Sequence, residues 1–265
     1  SEQKEPIVGV IKGTKVAPGY ARLKGTSDIR MGFNVGLMID MSEKVTLGVS
    51  YRSKIKMKVK EGDAELTYAN RQVEDVMNML GNISPALSVP KYNQGTFRAE
   101  LPLPANLTAG VSYRPTEKLQ LALDLQLVGW AAYDSLNVHF NEEELGIAPI
   151  LAEKDYKNTF IIRTGVEYNV YERLDLRAGV YYDQSPIRKE NYNPETPGMD
   201  KLGFSVGASF APYERFQIHL ALLYIQGLSR DGSYTSRNIV TGDMDVFAGR
   251  YSSSAFTASI GASYS

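Results

Sequence analysis

The sequence has no cysteine, only two histidines, a single tryptophan and almost no net charge, 29 basic residues standing against 30 acidic ones. Without cysteine there is neither a disulfide framework nor a thiolate metal site. His139 and His219 have no paired carboxylate at ligand spacing nearby, so each reads as an ordinary polar residue rather than a ligand or general base. Balanced, interspersed charge supplies no bulk attraction for nucleic acid. No apolar run reaches the roughly eighteen residues of a membrane-spanning helix. That absence leaves membrane strands open, because their alternation averages out as mild polarity. An apolar leader is also missing from "SEQKEPIVGV", as a mature or truncated chain would show.

What is present is alternation. Phe256, Ala258, Ile260, Ala262 and Tyr264 take one parity of the last segment, and Thr257, Ser259, Gly261, Ser263 and Ser265 the other. The same two-residue period recurs at 33–39, 45–51, 107–113, 119–127, 160–168, 174–182, 202–210 and 216–225, with a shorter strand expected near Tyr20 to Lys24. About ten strands follow, in one all-β domain over 1–265 with no internal boundary. "MSEK", "RPTEK", "NVYER" and "APYER" are tight turns. Between them stand four long segments, Leu66 to Thr96, Asp134 to Asp155, Ser185 to Asp200 and Leu228 to Ser252. Short turns at one end and long loops at the other is the arrangement of outer-membrane barrels, with the short turns periplasmic.

A soluble sheet would turn its apolar parity toward a core, and a membrane barrel would turn it toward lipid. Strands of about ten residues suit a tilted bilayer span. The apolar parity also ends in Tyr51, Tyr113, Tyr168, Phe210 and Tyr264, read here as a girdle beside the short turns. A soluble core would need a partner for each tyrosine hydroxyl. The reading is therefore a transmembrane antiparallel β-barrel of the outer-membrane type.

Three ordered blocks sharpen it: "GFNVGLMIDMSEKVTLGVSYRSKIKMKVKEGDAEL", "LPLPANLTAGVSYRPTEKLQLALDLQLVGWAAYDSL" with its Trp130, and "LDLRAGVYYDQSPIRKENYNPETPGMDKLGFSVGASFAPYERFQIHLALLYI". In this order, across about residues 15 to 265, they resemble the FadL-type long-chain fatty acid transporters of Gram-negative outer membranes. The resemblance implies a 14-stranded barrel plugged by an N-terminal hatch. Hydrophobic ligands would enter at extracellular loops, pass to an inner pocket and leave sideways through the wall. No counterpart of the hatch, its Asn-Pro-Ala motif or the first strands is present, and the terminal aromatic would fall one position beyond Ser265. The chain is thus read as the C-terminal portion of a longer barrel.

Candidate binding residues fall in three groups. "VEDVMNMLGNI" places Val73, Val76, Met77 and Leu80 on one helical face, and "EELGIAPILAEK" carries Leu145, Ile147, Ile150 and Leu151. Either segment packs on the barrel rim or offers an apolar groove for an acyl chain, with adaptable methionines. On the lumen parity, Arg52, Lys54, Lys56 and Lys58 form a line of like charges about 7 Å apart. One of these, or Arg163 or Arg177, would hold a fatty acid carboxylate, guanidinium forks suiting that group. The arginines are expected to converge from consecutive strands, unless Glu167, Asp175 and Asp124 neutralise the cations instead. "EEEL" from Glu142 reads as a solvated acidic loop, not a calcium cluster, and glycines in "GVYY" and "GASF" fall mid-strand, not in a phosphate cradle.

The expected function is passive uptake of a hydrophobic small molecule such as a long-chain fatty acid, in contact with outer-membrane lipid. No enzyme activity, cofactor, metal or nucleic acid is implied. The alternative is a protein-interaction barrel, since some relatives in bacteria with type IX secretion act as shuttles or scaffolds, and "YTSRNIVTGDMDVFAGRYSSS" would suit a protein partner.

Overall fold

The computed structural model describes residues 2–11, 14–68, 70–75, 79, 94–141, 150–188, 198–237 and 244–264. Among the described residues, fifteen antiparallel strands form two sheets. Nine make the larger sheet, in the order β15 (Met244–Tyr264), β14 (Phe216–Arg237), β13 (Lys201–Tyr213), β12 (Leu174–Asp183), β11 (Thr159–Tyr171), β8 (Leu119–Val128), β7 (Asn106–Thr116), β4 (Val45–Arg52) and β3 (Asn34–Ser42). The outer edges of β3 and β15 carry no strand partner among the described residues, so this sheet is open.

These are the strands with clean alternation, and the tight turns lie where they are predicted. Glu43–Lys44, Glu117–Lys118, Glu172–Arg173 and Glu214–Arg215 each turn the chain, with a register irregularity beside each turn. Register puts Leu121, Leu125, Ile162, Val166, Val180, Phe204, Val206, Leu222 and Ile260 on one face, and all of them are exposed. Among the described residues the main strand contacts are between neighbours within a sheet, and no second layer covers that face. A contiguous uncovered apolar surface of this extent suits lipid rather than water. Thr164 shares the face, and its hydroxyl is satisfied by donating to the Ala122 carbonyl at 3.1 Å, as a lipid-facing polar group requires.

The second sheet is a departure from the sequence reading. It holds β1 (Glu2–Ile11), β2 (Thr14–Lys24), β5 (Ile55–Tyr68), β6 (Gln94–Leu103), β9 (Ser135–Phe140) and β10 (Ile150–Glu153). Charge in β5 and proline in β6 hide their alternation, and β9 and β10 are short strands inside a segment read as loop. Within the segment Leu228 to Ser252, also read as loop, residues 228–237 and 244–252 instead extend β14 and β15 past the end of β13 as a paired two-stranded arm. The two sheets share one register across a short break. Arg52 pairs with Asn106, and three residues on Ile55 pairs with Leu103, so β5 and β6 resume the register of β4 and β7. Ala64 and Phe97 form a small core in this upper sheet, packed by Leu23, Val59, Ala99, Val138 and Phe140.

The aromatic girdle needs one correction. Tyr113, Tyr168, Phe210 and Tyr264 stand at the short-turn end, but Tyr51 lies at the far end of β4, with its ring 5.7 Å from that of Phe33. Its place in the alternation matches the others, while its direction along the strand is opposite.

Candidate functional site

The face opposite the leucines carries the polar parity. At mid-height its side chains shrink away. Ala122, Gly165, Gly179 and Ser205 are successive cross-strand partners from β8 to β13, and Gly207 and Ala221 form a second small pair two residues nearer the short turns. Above this floor lies a groove of about 500 Å³, bordered by Arg163, Glu167, Arg177 and Tyr181. A floor of bare backbone gives an apolar molecule contact area without displacing side chains.

The two arginines at its border differ in every respect that matters for an anion. Arg177 is occupied: its Nε donates to Glu167 Oε2 at 2.6 Å, its Nη2 lies 3.7 Å from Asp175 Oδ2, and its Nη1 donates to Ser209 Oγ. The network continues across the sheet. Asn169 donates to Asp175 at 2.9 Å, and His219 bridges Ser209 at 2.8 Å and Ser263 at 3.1 Å. Five strands are thereby joined by hydrogen bonds near the short-turn end. Arg163, half-buried in the groove wall, has no hydrogen bond and no ion pair among the described residues.

The expected convergence of the two arginines does not occur. Arg163 pairs with Tyr181 and Arg177 with Glu167, so the two stand four positions apart along β11 and β12. At about 3.4 Å per residue that is roughly 14 Å, too far for both to grip one carboxylate. Although β11 and β12 share one turn, Arg163 stands nine residues before Glu172 and Arg177 only four after Arg173, so their heights above it differ.

The lysine line also divides. Arg52 ends β4, Lys54 sits in the two-residue break, and Lys56 and Lys58 belong to β5 of the upper sheet. Lys56 lies 3.2 Å from Glu100 Oε2, and Lys58 pairs with the other oxygen of the same carboxylate. These two ammonium groups, Lys58 first, hold the Glu100 carboxyl below its usual range. Lys54 is exposed and without an ion pair among the described residues.

Of the loop candidates, Val76, Met77, Leu80 and Ile147 lie outside the described residues, as does the acidic run from Glu142. The helix read there does begin: residues 71–75 are helical, and the Asn70 side chain accepts from the Val73 N–H at 3.0 Å as its cap. Ile150 and Leu151 lie in β10, paired with Val138 and Asn137. Sequence reading missed Tyr181, although its lumen parity beside Arg163 was visible. It also missed the serine–histidine–serine bridge, whose members are far apart in sequence and meet only through register.

Outer membrane protein P1 of Haemophilus influenzae is 26% identical over 233 residues, covering 85% of this chain and 44% of that protein. A long-chain fatty acid transport protein of Escherichia coli is 22% identical over 208 residues, covering 78% and 44%. Among solved structures, a Pseudomonas aeruginosa FadL homologue superposes with a TM-score of 0.77 at 20% identity, over 99% of this chain and 61% of that one. The chain spans about half the length of the curated relatives it matches. The model of the family described as outer membrane protein transport protein (OMPP1/FadL/TodX) matches residues 10–265, and it is to this outer-membrane family that the chain belongs.

Proposed function

We propose that the chain is part of an outer-membrane barrel that admits hydrophobic small molecules by passive diffusion, and that Arg163 holds the head group of those that are carboxylic acids. The observation that supports this reading is the contrast between two lumen arginines beside a side-chain-poor groove, one neutralised by two carboxylates and the other with no hydrogen bond or ion pair among the described residues. A guanidinium in a partly dry lumen gains most from an anion that brings its own apolar body. A long-chain fatty acid has that composition, and an E. coli relative is named for its transport. Diffusion down a gradient requires no nucleotide or cofactor. In this reading the segments that carry Val76, Met77, Leu80, Ile147, Ile150 and Leu151 would meet the acyl chain first, and Lys54 and Lys56 would be intermediate contacts for the head group. In the complete protein, preceding strands would bridge the free edges of β3 and β15 and close the wall.

The test is affinity for a fatty acid and its methyl ester in the full-length protein. The acid should bind more tightly, and Arg163→Ala should erase the difference. Equal affinities in the unmutated protein would remove Arg163 from the mechanism.

A second reading rests on the paired arm formed by β14 and β15 beyond β13. It presents backbone edges that could pair with a strand of another protein, as a scaffold barrel would. Stoichiometric co-purification of a protein partner, lost when 230–251 is shortened, would favour it over uptake.

A further inference from the structure

Arg163 should not be free. On one face of an antiparallel sheet, directly opposed side chains have Cβ atoms about 5 Å apart, and opposite charges there ordinarily pair. The register partner of Arg163 on β8 is Asp124. Yet Asp124 makes neither an ion pair nor a hydrogen bond among the described residues, and its carboxylate turns to the other side. There its register partner is Gly110 of β7. A Cβ built on Gly110 would collide with Asp124 Oδ1, so the carboxylate occupies the space that any other residue would fill. Tyr181, the partner of Arg163 on β12, behaves alike: its ring lies over Gly203 of β13, where a Cβ would strike it. Both neighbours of the guanidinium are stowed over glycines one strand further out. The next carboxylates are Glu167, held by Arg177, and Asp183, which stands diagonally across β12 within reach of the Arg163 charge but makes its ion pair with Lys201, Oδ2 to Nζ 3.9 Å.

We infer that Gly110 is a specificity-determining residue: by giving the Asp124 carboxylate a place away from Arg163, it keeps the guanidinium open to a carboxylate brought by the ligand. The inference rests on the reading of Arg163 as the anchor and adds why that anchor is not neutralised from within. Among the described residues no hydrogen bond or ion pair holds Asp124 over Gly110, so the space there is what admits that rotamer. With alanine at 110 the carboxylate has one open side left, toward Arg163, and the internal ion pair forms. The lumen then treats an acid and its ester alike.

The experiment measures binding of a long-chain fatty acid and its methyl ester to the full-length protein in four forms: unmutated, Gly110→Ala, Asp124→Ala and the double variant. A hydrogen bond to a charged group corresponds to about tenfold or more in affinity, and that is the acid preference expected of the unmutated protein. Gly110→Ala should bring the ratio to about one by weakening the acid, with the ester bound as before. Asp124→Ala should keep the preference, and adding it to Gly110→Ala should restore it. If the unmutated protein shows no preference, the Arg163 reading fails and this inference with it. If it shows one and Gly110→Ala retains it, the anchor stands and Gly110 does not govern it. A Gly110→Ala chain that assembles only when Asp124 is also alanine would equally overturn the inference, since the displaced carboxylate would not then be settling on Arg163.

Discussion

Replacing Leu123 by arginine tests the assignment of faces most directly. Leu123 lies in the middle of β8, opposed by Val111 and Thr164 on the apolar parity, and about half of its surface is uncovered by protein. Its neighbour Ala122 points the other way, onto the groove floor. A guanidinium at the midplane of the lipid face costs about 2–4 kcal/mol. That is roughly 30-fold to 1,000-fold in the folding equilibrium constant. In the lumen the same group meets water and the carboxylates of that face, so Gln120→Arg should cost much less. Ala122→Arg should sit between them, losing only the fit of a large side chain on a bare floor. The assay is equilibrium refolding of full-length variants into bilayers, followed by a change of tryptophan fluorescence and checked by protease protection. Equal penalties at 120, 122 and 123 would refute the membrane assignment, because a sheet with water on both faces has no reason to discriminate parity.

Arg177→Ala should impair assembly more than Arg163→Ala does, since it strands Glu167 and Asp175 without their cation; refolding yields of the two variants check this. Serine at Val76, Met77 and Leu80 together should weaken capture of a hydrophobic ligand without changing barrel assembly, and unchanged uptake would reduce the segment to rim packing. The upper sheet should loosen in acid. Glu100 has a lowered folded pKa, so its contribution is fully present above the ordinary carboxylate pKa and is lost as pH falls below it through the folded value. Limited proteolysis of 55–103 across that range should show the loss, and Glu100→Gln should flatten it.

The nine strands of the open sheet were legible because their alternation is nearly unbroken, and lipid on one side enforces that pattern residue by residue. Strands β5 and β6 were not, because beyond the membrane nothing demands strict alternation: Lys60 and Glu61 fall inside a register shift, and Pro102 interrupts the donors of β6. For the site, the parity of Arg163, Arg177 and Asp124 could be read off, and with it the face they share. Which cation stays open could not. That depends on Asp124 turning toward Gly110 rather than Arg163, a rotamer choice set by a residue fourteen positions away and across a strand boundary. The supposed meeting of the two arginines failed for a related reason, since parity fixes a face but says nothing of height along the barrel axis.

The shared register of β4–β7 and β5–β6 bears on how this chain assembles. Between Arg52 and Asn106 lies an insertion that would ordinarily make β4 and β7 a distant pair, costly in loop-closure entropy and slow to find. Because β5 and β6 pair along the same line, the two ends of the insertion are themselves zipped together. Once its upper arms are zipped, Ile55 and Leu103 hold Arg52 and Asn106 a few residues from contact. Pairing in the membrane then proceeds as propagation past a two-residue gap, not as a search. The upper sheet acts as a clamp on neighbour choice, and unpairing it should slow insertion of β7 even where the finished wall is no less stable.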